Sequence, residues 1–274
     1  MNGLTALVSG ALLSGVVLLT PSVVSAANNE LIKHSNTKYS GDYTFRHCKA
    51  ITKKPFDLKA QRRKVLIIGD SQACDFYNGV VETGRLKKYQ VSMRYIPYQC
   101  QPTFDTNVIA PKDRPLCSKE ARADSLRLAA DQIKEADIVI FTARWKLKAA
   151  RALPHTLKYL KFRANQRVFV LGNKNFGKIN IRKYLRMSPD KLPKQTNDVP
   201  RHIRTVNTIL QEGLKGTRVS YIDQQKVLCD GSDEHCQVFT SNRKLISYDG
   251  WHLTESGARF AGSLLFRKTK LGSL

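Results

Sequence analysis

The sequence predicts an α/β fold, a three-layer doubly wound parallel sheet, and three observations carry that expectation. Short continuous apolar runs recur at Lys64–Gly69, Asp137–Thr142 and Arg167–Gly172, each bounded by polar residues. Amphipathic stretches long enough for helices lie between them. Unbroken apolar strands that alternate with helices belong to a sheet covered on both faces, because an exposed face would show polar alternation. Right-handed crossovers then lay helices on the two faces.

The chain has 274 residues and 42% of them are hydrophobic, enough for one sizeable core. Residues 1–29 carry no charged side chain, and Leu7–Val24 is rich in Leu, Val, Ser and Gly. Val24-Ser25-Ala26 offers small residues for signal-peptidase cleavage after Ala26, so 1–26 is expected to be a signal peptide. An uncleaved N-terminal anchor is the other reading, since the apolar stretch approaches spanning length. Both place the remainder outside the cytoplasm, periplasmic or secreted. Residues 27–60 are polar and poorly periodic and are expected to be an exported lead-in to a domain over 61–274.

After Gln61-Arg62-Arg63 the elements follow in order. Lys64–Gly69 is the first strand, 73–88 a helix, Val91–Ile96 the second strand, and Pro97–Cys117 a loop. Ser118 is placed to cap a helix running to about Glu135, with Leu126, Ala129, Ala130 and Ile133 at helical spacing. The third strand is Asp137–Thr142, a basic helix spans about 149–163, and the fourth strand is Arg167–Gly172. A polar, basic connection over 174–198, a helix over 200–215, a fifth strand over Arg218–Ile222, a short strand near Leu245 and a final helix from Thr254 to about Phe266 complete the pattern. Ligands bind such sheets at the carboxyl ends of strands, so the segments after Gly69, Thr142 and Gly172 matter most.

Six cysteines, Cys48, Cys74, Cys100, Cys117, Cys229 and Cys236, suit an oxidising compartment. Cys100 with Cys117 and Cys229 with Cys236 are sequence neighbours spaced to close short loops, which leaves Cys48 and Cys74 for each other; other connectivities remain open. No Cys-x-x-Cys pair occurs, and no metal site or cofactor is expected.

The formal net charge is +24, and it is concentrated. Between Arg144 and Arg204 stand 17 Lys or Arg against only Asp190 and Asp198. Such a field attracts polyanions. Outside the cytoplasm these are acidic glycans, lipopolysaccharide and anionic headgroups. Nucleic acid is not an expected partner, because no nucleic-acid-binding motif accompanies the charge.

The chemistry is written in two blocks. Gly69-Asp70-Ser71-Gln72 follows a buried strand and opens a helix. A serine at that turn presents its hydroxyl at the sheet edge, with free N–H donors and the positive helix end behind it. On this tetrapeptide alone, Ser71 reads equally well as a helix cap. Asp249-Gly250-Trp251-His252-Leu253-Thr254 lies just before the last helix. A hydroxyl nucleophile needs a base, and the base needs an acceptor that fixes its tautomer. Ser71, His252 and Asp249 fill those roles.

Together these blocks resemble the SGNH hydrolase superfamily, whose fold is flavodoxin-like, and more closely the SGNH domains that accompany acyltransferase-3 membrane proteins and O-acetylate surface polysaccharides. The resembling segments are Val65–Cys74, Pro97–Pro102, Ile138–Trp145 and Tyr248–Ala258, and Thr142-Ala143-Arg144-Trp145 points to that subgroup. The resemblance implies Ser71 as nucleophile, His252 as base and Asp249 as its orienter. Two blocks depart from the superfamily pattern. A Gly is usual where Pro97-Tyr98-Gln99-Cys100 stands, and Gly-x-Asn-Asp where Thr142-Ala143-Arg144-Trp145 stands. The oxyanion or substrate-binding candidates are therefore Arg144, Trp145, Gln99 and Asn173. Arg144 is read as an oxyanion donor, a grip for a substrate carboxylate or phosphate, or a partner of Asp70. Trp145 is read as a sugar platform or as packing.

The expected function is that of an exported serine-dependent acyl-ester enzyme, an O-acetyltransferase or acetylesterase working through acyl-Ser71 on a surface or acidic glycan. Its partners would be an acidic or acetylated glycan and a membrane acyltransferase that supplies acetyl. The competing expectation is a catalytically weak, basic glycan-binding module on the same scaffold.

Overall fold

A computed structural model describes residues 21–119 and 123–274. In chain order the helices are α1 (Pro21–Ser35), α2 (Thr37–Arg46), α3 (Ser71–Glu82), α4 (Arg114–Cys117), α5 (Ala130–Glu135), α6 (Leu147–Tyr159), α7 (Ile181–Tyr184), α8 (Arg201–Leu214), α9 (Gln224–Leu228) and α10 (Glu255–Lys268). The strands are β1 (Lys64–Gly69), β2 (Gln90–Tyr95), β3 (Ile138–Thr142), β4 (Arg167–Leu171), β5 (Thr196–Asp198), β6 (Ser220–Ile222) and β7 (His235–Gln237). Most of the expected signal peptide lies outside the described residues, and its expected cleavage point after Ala26 falls within α1. No helix among the described residues is long and apolar enough to cross a membrane.

Five parallel strands form the central sheet in the order β2-β1-β3-β4-β6. Each central strand buries both of its faces, as its apolar run requires. Val65 and Ile67 of β1, Ile138 and Ile140 of β3, and Phe169 and Leu171 of β4 pack into a core with Phe76, Val80, Leu265 and Phe266 of α3 and α10. The alternate residues Leu66, Ile68, Val139, Phe141, Val168 and Val170 pack with Ala150 and Leu153 of α6 and Val206 and Leu210 of α8. This is period-2 alternation with apolar residues on both sides, hence a three-layer sandwich. The order reverses at β1, between β2 and β3, and there the ends of neighbouring connections diverge and leave a crevice. A separate two-stranded antiparallel ladder joins β5 and β7.

Several expected elements differ. The helix read over 118–135 is not continuous. α4 ends at Cys117, Ser118 stands at its carboxyl end, and only Ala130–Glu135 of the remainder is helical among the described residues. The Cys100–Cys117 bond ties α4 back to the loop after β2, so tertiary geometry overrides the helical spacing there. Near Leu245 there is a single bridge to Phe239 instead of a strand. The stretch read as a polar, poorly periodic lead-in over 27–60 carries the end of α1 and all of α2. Tyr43, Cys48 and Ile51 are buried in the core beneath α3, where Cys48 is bonded to Cys74. A polar, aperiodic stretch conceals such a role because few of its residues face the core and a covalent bond does part of the holding. All three expected disulfides, Cys48–Cys74, Cys100–Cys117 and Cys229–Cys236, are formed.

Candidate active site

β1 runs out at Gly69, whose position against β3 leaves no room for a side chain: an added Cβ would lie 1.8 Å from the Thr142 carbonyl oxygen. The chain turns, Asp70 caps α3 by accepting from the Gln72 N–H, and Ser71 becomes the first helical residue. The Asp70 carboxylate also accepts from the backbone N–H of Arg144, at 3.0 and 3.2 Å to its two oxygens. It therefore fastens the end of β3 to the serine turn. Burial pushes Asp70 up to about 6, against the two N–H donors that favour its charged form.

The loop before α10 brings the other two residues. Gly250 has φ +90° and lies against Gly177, a turn that L side chains avoid. Asp249 Oδ1 accepts from the N–H of Trp251 (2.8 Å) and of His252 (2.7 Å), and so folds the turn upon itself. Its Oδ2 accepts from His252 Nδ1 at 2.6 Å. His252 Nε2 lies 2.8 Å from Ser71 Oγ. A carboxylate can only accept, so Nδ1 carries the proton and Nε2 is left to accept from the serine hydroxyl. The structure thus joins Ser71, His252 and Asp249 in one relay. Burial works against the imidazolium, but the Asp249 hydrogen bond and the charges of Asp75 and Asp249 outweigh it, and His252 sits above its ordinary value. Asp249 is held below the usual carboxylate range: burial opposes this, and the bonds from His252 and the Trp251 N–H prevail.

Two buried charges that sequence reasoning missed lock this geometry. Lys174, just past β4, is 3% exposed and Asp75 is fully buried. Lys174 Nζ donates to Asp75 Oδ2 (2.8 Å), Gln72 Oε1 (2.6 Å) and the Trp251 carbonyl (2.6 Å). Asp75 in turn accepts from the Leu253 N–H. The pair therefore clamps the helix that bears Ser71 to the loop that bears His252. A sequence signal existed for each: Asp75 stands four residues after Ser71, on the same helix face, and Lys174 follows the strand end after Gly172. On the outer side, the Tyr248 ring stacks on His252 at 5.7 Å between centroids, and its hydroxyl meets Thr44 Oγ1 of α2.

The remaining candidates separate. The Arg144 guanidinium does not pair with Asp70; only its backbone does. Its Cζ lies 3.7 Å from the centroid of the Trp251 ring and 4.8 Å from that of Tyr98. Trp145 is buried, its indole N–H donating to the Leu171 carbonyl, so it packs and offers no sugar platform. Trp251 and Tyr98, which the sequence reading did not single out, are the partly exposed rings beside the relay. Asn173 is buried and its amide is engaged twice with the Trp145 backbone, fixing the turn after β3. Gln99 is exposed, and among the described residues only its carbonyl is engaged, by Lys146 Nζ. The glutamine that this loop buries is Gln101, bound to the Arg144 carbonyl and the Lys146 N–H. The Ser71 N–H has no protein acceptor among the described residues. Nor do those residues include a cluster of three His, Cys, Asp or Glu placed to hold a metal ion.

Comparison with known proteins bears on the fold and the family. No curated protein matches the chain. Among solved structures, the periplasmic domain of a lipopolysaccharide acetyltransferase from Salmonella ser. Paratyphi A superposes with a TM-score of 0.57 at 17% identity, over 85% of this chain and 97% of that one. A Streptococcus pneumonia structure described as a platelet activating factor gives a TM-score of 0.43 at 14% identity, over 90% of this chain and 98% of that one. The family model for the SGNH domain (fused to AT3 domains) matches residues 34–266. That match begins within α1 and ends within α10, and the chain belongs to this SGNH domain family.

Proposed function

We propose that the protein is an exported serine-dependent acyl-ester enzyme that moves or removes an acyl group, acetyl in the first instance, on a surface glycan. The observation that carries this reading is the relay itself, with Ser71 Oγ 2.8 Å from His252 Nε2 and His252 Nδ1 2.6 Å from Asp249. In the first half-reaction, Ser71 Oγ attacks the acyl carbonyl and its proton passes to His252 Nε2. The acyl–oxygen bond of the donor breaks, the leaving alcohol takes that proton, and acyl-Ser71 remains. In the second, an acceptor hydroxyl gives its proton to His252 and takes the acyl group as the acyl–Ser71 bond breaks, and His252 returns that proton to Ser71 Oγ. Water makes the enzyme an esterase; a sugar hydroxyl makes it an O-acyltransferase. On this reading the Ser71 N–H, without a protein acceptor among the described residues and at the positive end of α3, is a donor available to the developing oxyanion.

Membership of a family whose domains are fused to AT3 domains favours transfer, with a membrane acyltransferase as the donor of acetyl. The charge-free N-terminal stretch and three disulfides favour export to an oxidising compartment, with cleavage after Ala26 or retention as an anchor.

The test is mass spectrometry of the protein after incubation with p-nitrophenyl acetate. A single added acetyl group on the peptide containing Ser71 is expected. Ser71→Ala should lose both the adduct and turnover, by a factor on the order of 10⁴ or more, while keeping its fold. A wild-type protein that acquires no acetyl yet binds acidic glycan would instead be a binding module on this scaffold.

A further inference from the structure

A cavity of about 300 Å³ opens beside the relay, lined by Tyr98, Arg144, Lys146, His202, Thr205 and Trp251 among others. It sits at the lower end of the ~300–1,000 Å³ typical of small-molecule sites. Trp251 immediately precedes His252, and Arg144 is fastened through its backbone to the residue before Ser71, so the cavity adjoins the segments that carry Ser71 and His252 of the relay.

Its wall has a definite chemistry. None of its lining residues is acidic, while Arg144 and Lys146 both reach it. The guanidinium lies between the Trp251 and Tyr98 rings, and Lys146 Nζ lies 4.6 Å from the Tyr98 centroid. Aromatic neighbours on its faces hold the guanidinium in place and shed water from them. Its N–H edges are not used by the protein: no carboxylate, carbonyl or hydroxyl among the described residues accepts from them. A fixed planar fork with open donors and no counter-ion matches the two oxygens of a carboxylate or phosphate. A second larger cavity, about 530 Å³ between α3 and Lys54–Arg62, lies at the other end of the sheet and shares no residue with this site.

We propose that this cavity is a subsite for one anionic sugar unit of the glycan, whose carboxylate or phosphate is gripped by Arg144 with Lys146 at the rim. The proposal rests on the acyl-glycan reading above and names the class of glycan it acts on. The ring of that sugar packs along the exposed part of Trp251, and its anion sets which hydroxyl faces Ser71. A neutral sugar fills the same space but leaves the guanidinium edge without an acceptor.

The experiment compares three acetylated substrates: methyl glucuronoside, methyl glucoside and methyl glucoside 6-phosphate. Wild-type protein is expected to favour at least one anionic ester over the neutral one by about tenfold or more in kcat/KM, as the loss of a charged hydrogen-bond partner implies. Which anion is favoured distinguishes a uronate from a sugar phosphate. Arg144→Gln should bring that ratio close to one, and Lys146→Gln should lower it partway. A wild-type ratio near one overturns the subsite. So does a ratio that survives Arg144→Gln, including the case in which all three esters slow equally, since that would assign the side chain to the oxyanion or to structure. Binding separates this from the enzymatic reading. In Ser71→Ala, tryptophan fluorescence is titrated with unacetylated methyl glucuronoside, glucose 6-phosphate and methyl glucoside, because both tryptophans line the cavity. Preferential anion binding that Arg144→Gln abolishes supports the subsite even if no ester is turned over. Turnover with equal binding of all three overturns the subsite and leaves the acyl chemistry standing. Should Arg144→Gln fail to fold, Lys146→Gln decides by the same ratio.

Discussion

The relay and the basic stretch that follows β4 are built on opposite plans. Around Ser71 and His252 nearly every polar atom has a partner. Asp70, Asp75 and Asp249 each collect two or more donors, and Lys174 spends all three of its protons. From Lys178 to Arg201 the elements are short, the charged side chains are exposed, and no Lys or Arg has an acid within 4 Å among the described residues. The chain has 22 acidic residues for 46 basic ones, and it places three of them at the site. Charge is thus compensated at the relay, where geometry must be exact to within a hydrogen bond, and left uncompensated along the basic stretch over 178–201. Other parts of the surface carry ordinary exposed pairs such as Arg259–Glu82 and Lys268–Asp230.

The sharpest way to break that contrast is to open the buried pair. Lys174→Met would leave the Asp75 carboxylate buried without its cation, and removal of one partner of such a pair costs about 3–5 kcal/mol. Urea unfolding should show that loss. The double variant Lys174→Met, Asp75→Asn should recover part of it, because no net charge is then stranded. Equal stability of Lys174→Met and wild type would remove the clamp from the account. The corresponding change on the basic side, Lys183→Met, should move stability by no more than about 0.5 kcal/mol, as for surface sites generally.

The next effect is covalent. Cys48 and Cys74 are 26 residues apart, and their bond ties the N-terminal helices to the helix that carries Ser71. Replacing both with Ser should cost about 2–4 kcal/mol through the released chain entropy. The melting temperature should fall accordingly. A smaller fall for the Cys229–Cys236 pair, only 7 apart, would follow from the same argument.

The pH dependence probes the relay without altering it. In the proposed mechanism His252 must be neutral to take the Ser71 proton, and its folded value lies above the ordinary 6.5. Turnover should therefore decline as pH falls through that raised value, by about tenfold per unit below it. Stability runs the other way. The contribution of the protonated, Asp249-bound imidazole is complete below 6.5 and is lost as pH rises through the folded value. Asp249→Asn removes the bond that raises it and should shift the acid limb to lower pH. An unshifted limb would mean that another group is being titrated.

How much of this was legible in the sequence follows the same division. The strands of the central sheet could be read because both faces of β1, β3 and β4 are buried and the apolar runs are unbroken. Ser71 could be read as a candidate because it stands at a strand end, and Asp249 and His252 because they share one short block just before α10. The clamp could not. Asp75 and Lys174 are common surface types, and only the meeting of α3 with the segment after β4, 99 residues apart, makes them interior. Trp145 and Trp251 show the same limit: both flank site residues, and only packing decided that the first is covered and the second half open. Residues 37–51 were obscured because their hold on the core runs through Tyr43, Cys48, Ile51 and a disulfide, too few points for a period.

The smallest expected effect belongs to the basic stretch. Lys178, Arg182 and Lys183 are exposed and carry no ion-pair partner among the described residues, so a polyanion that reaches them displaces only water and counterions. Replacing all three with Gln should weaken binding to an acidic polysaccharide a few-fold near physiological salt, since exposed pairs contribute about 0.2–1 kcal/mol each and are screened over a Debye length of about 8 Å. The weakening should be larger at low salt and vanish at high salt. Turnover of p-nitrophenyl acetate should not change, because these side chains touch neither the relay nor the cavity beside it. The comparison is made by titrating salt against binding for wild type and the triple variant, with ester kinetics on the same preparations. Curves that coincide at every salt concentration would leave the positive field with no role in binding a polyanion, and the proposed glycan recognition would then rest wholly on the cavity at Arg144, Tyr98 and Trp251.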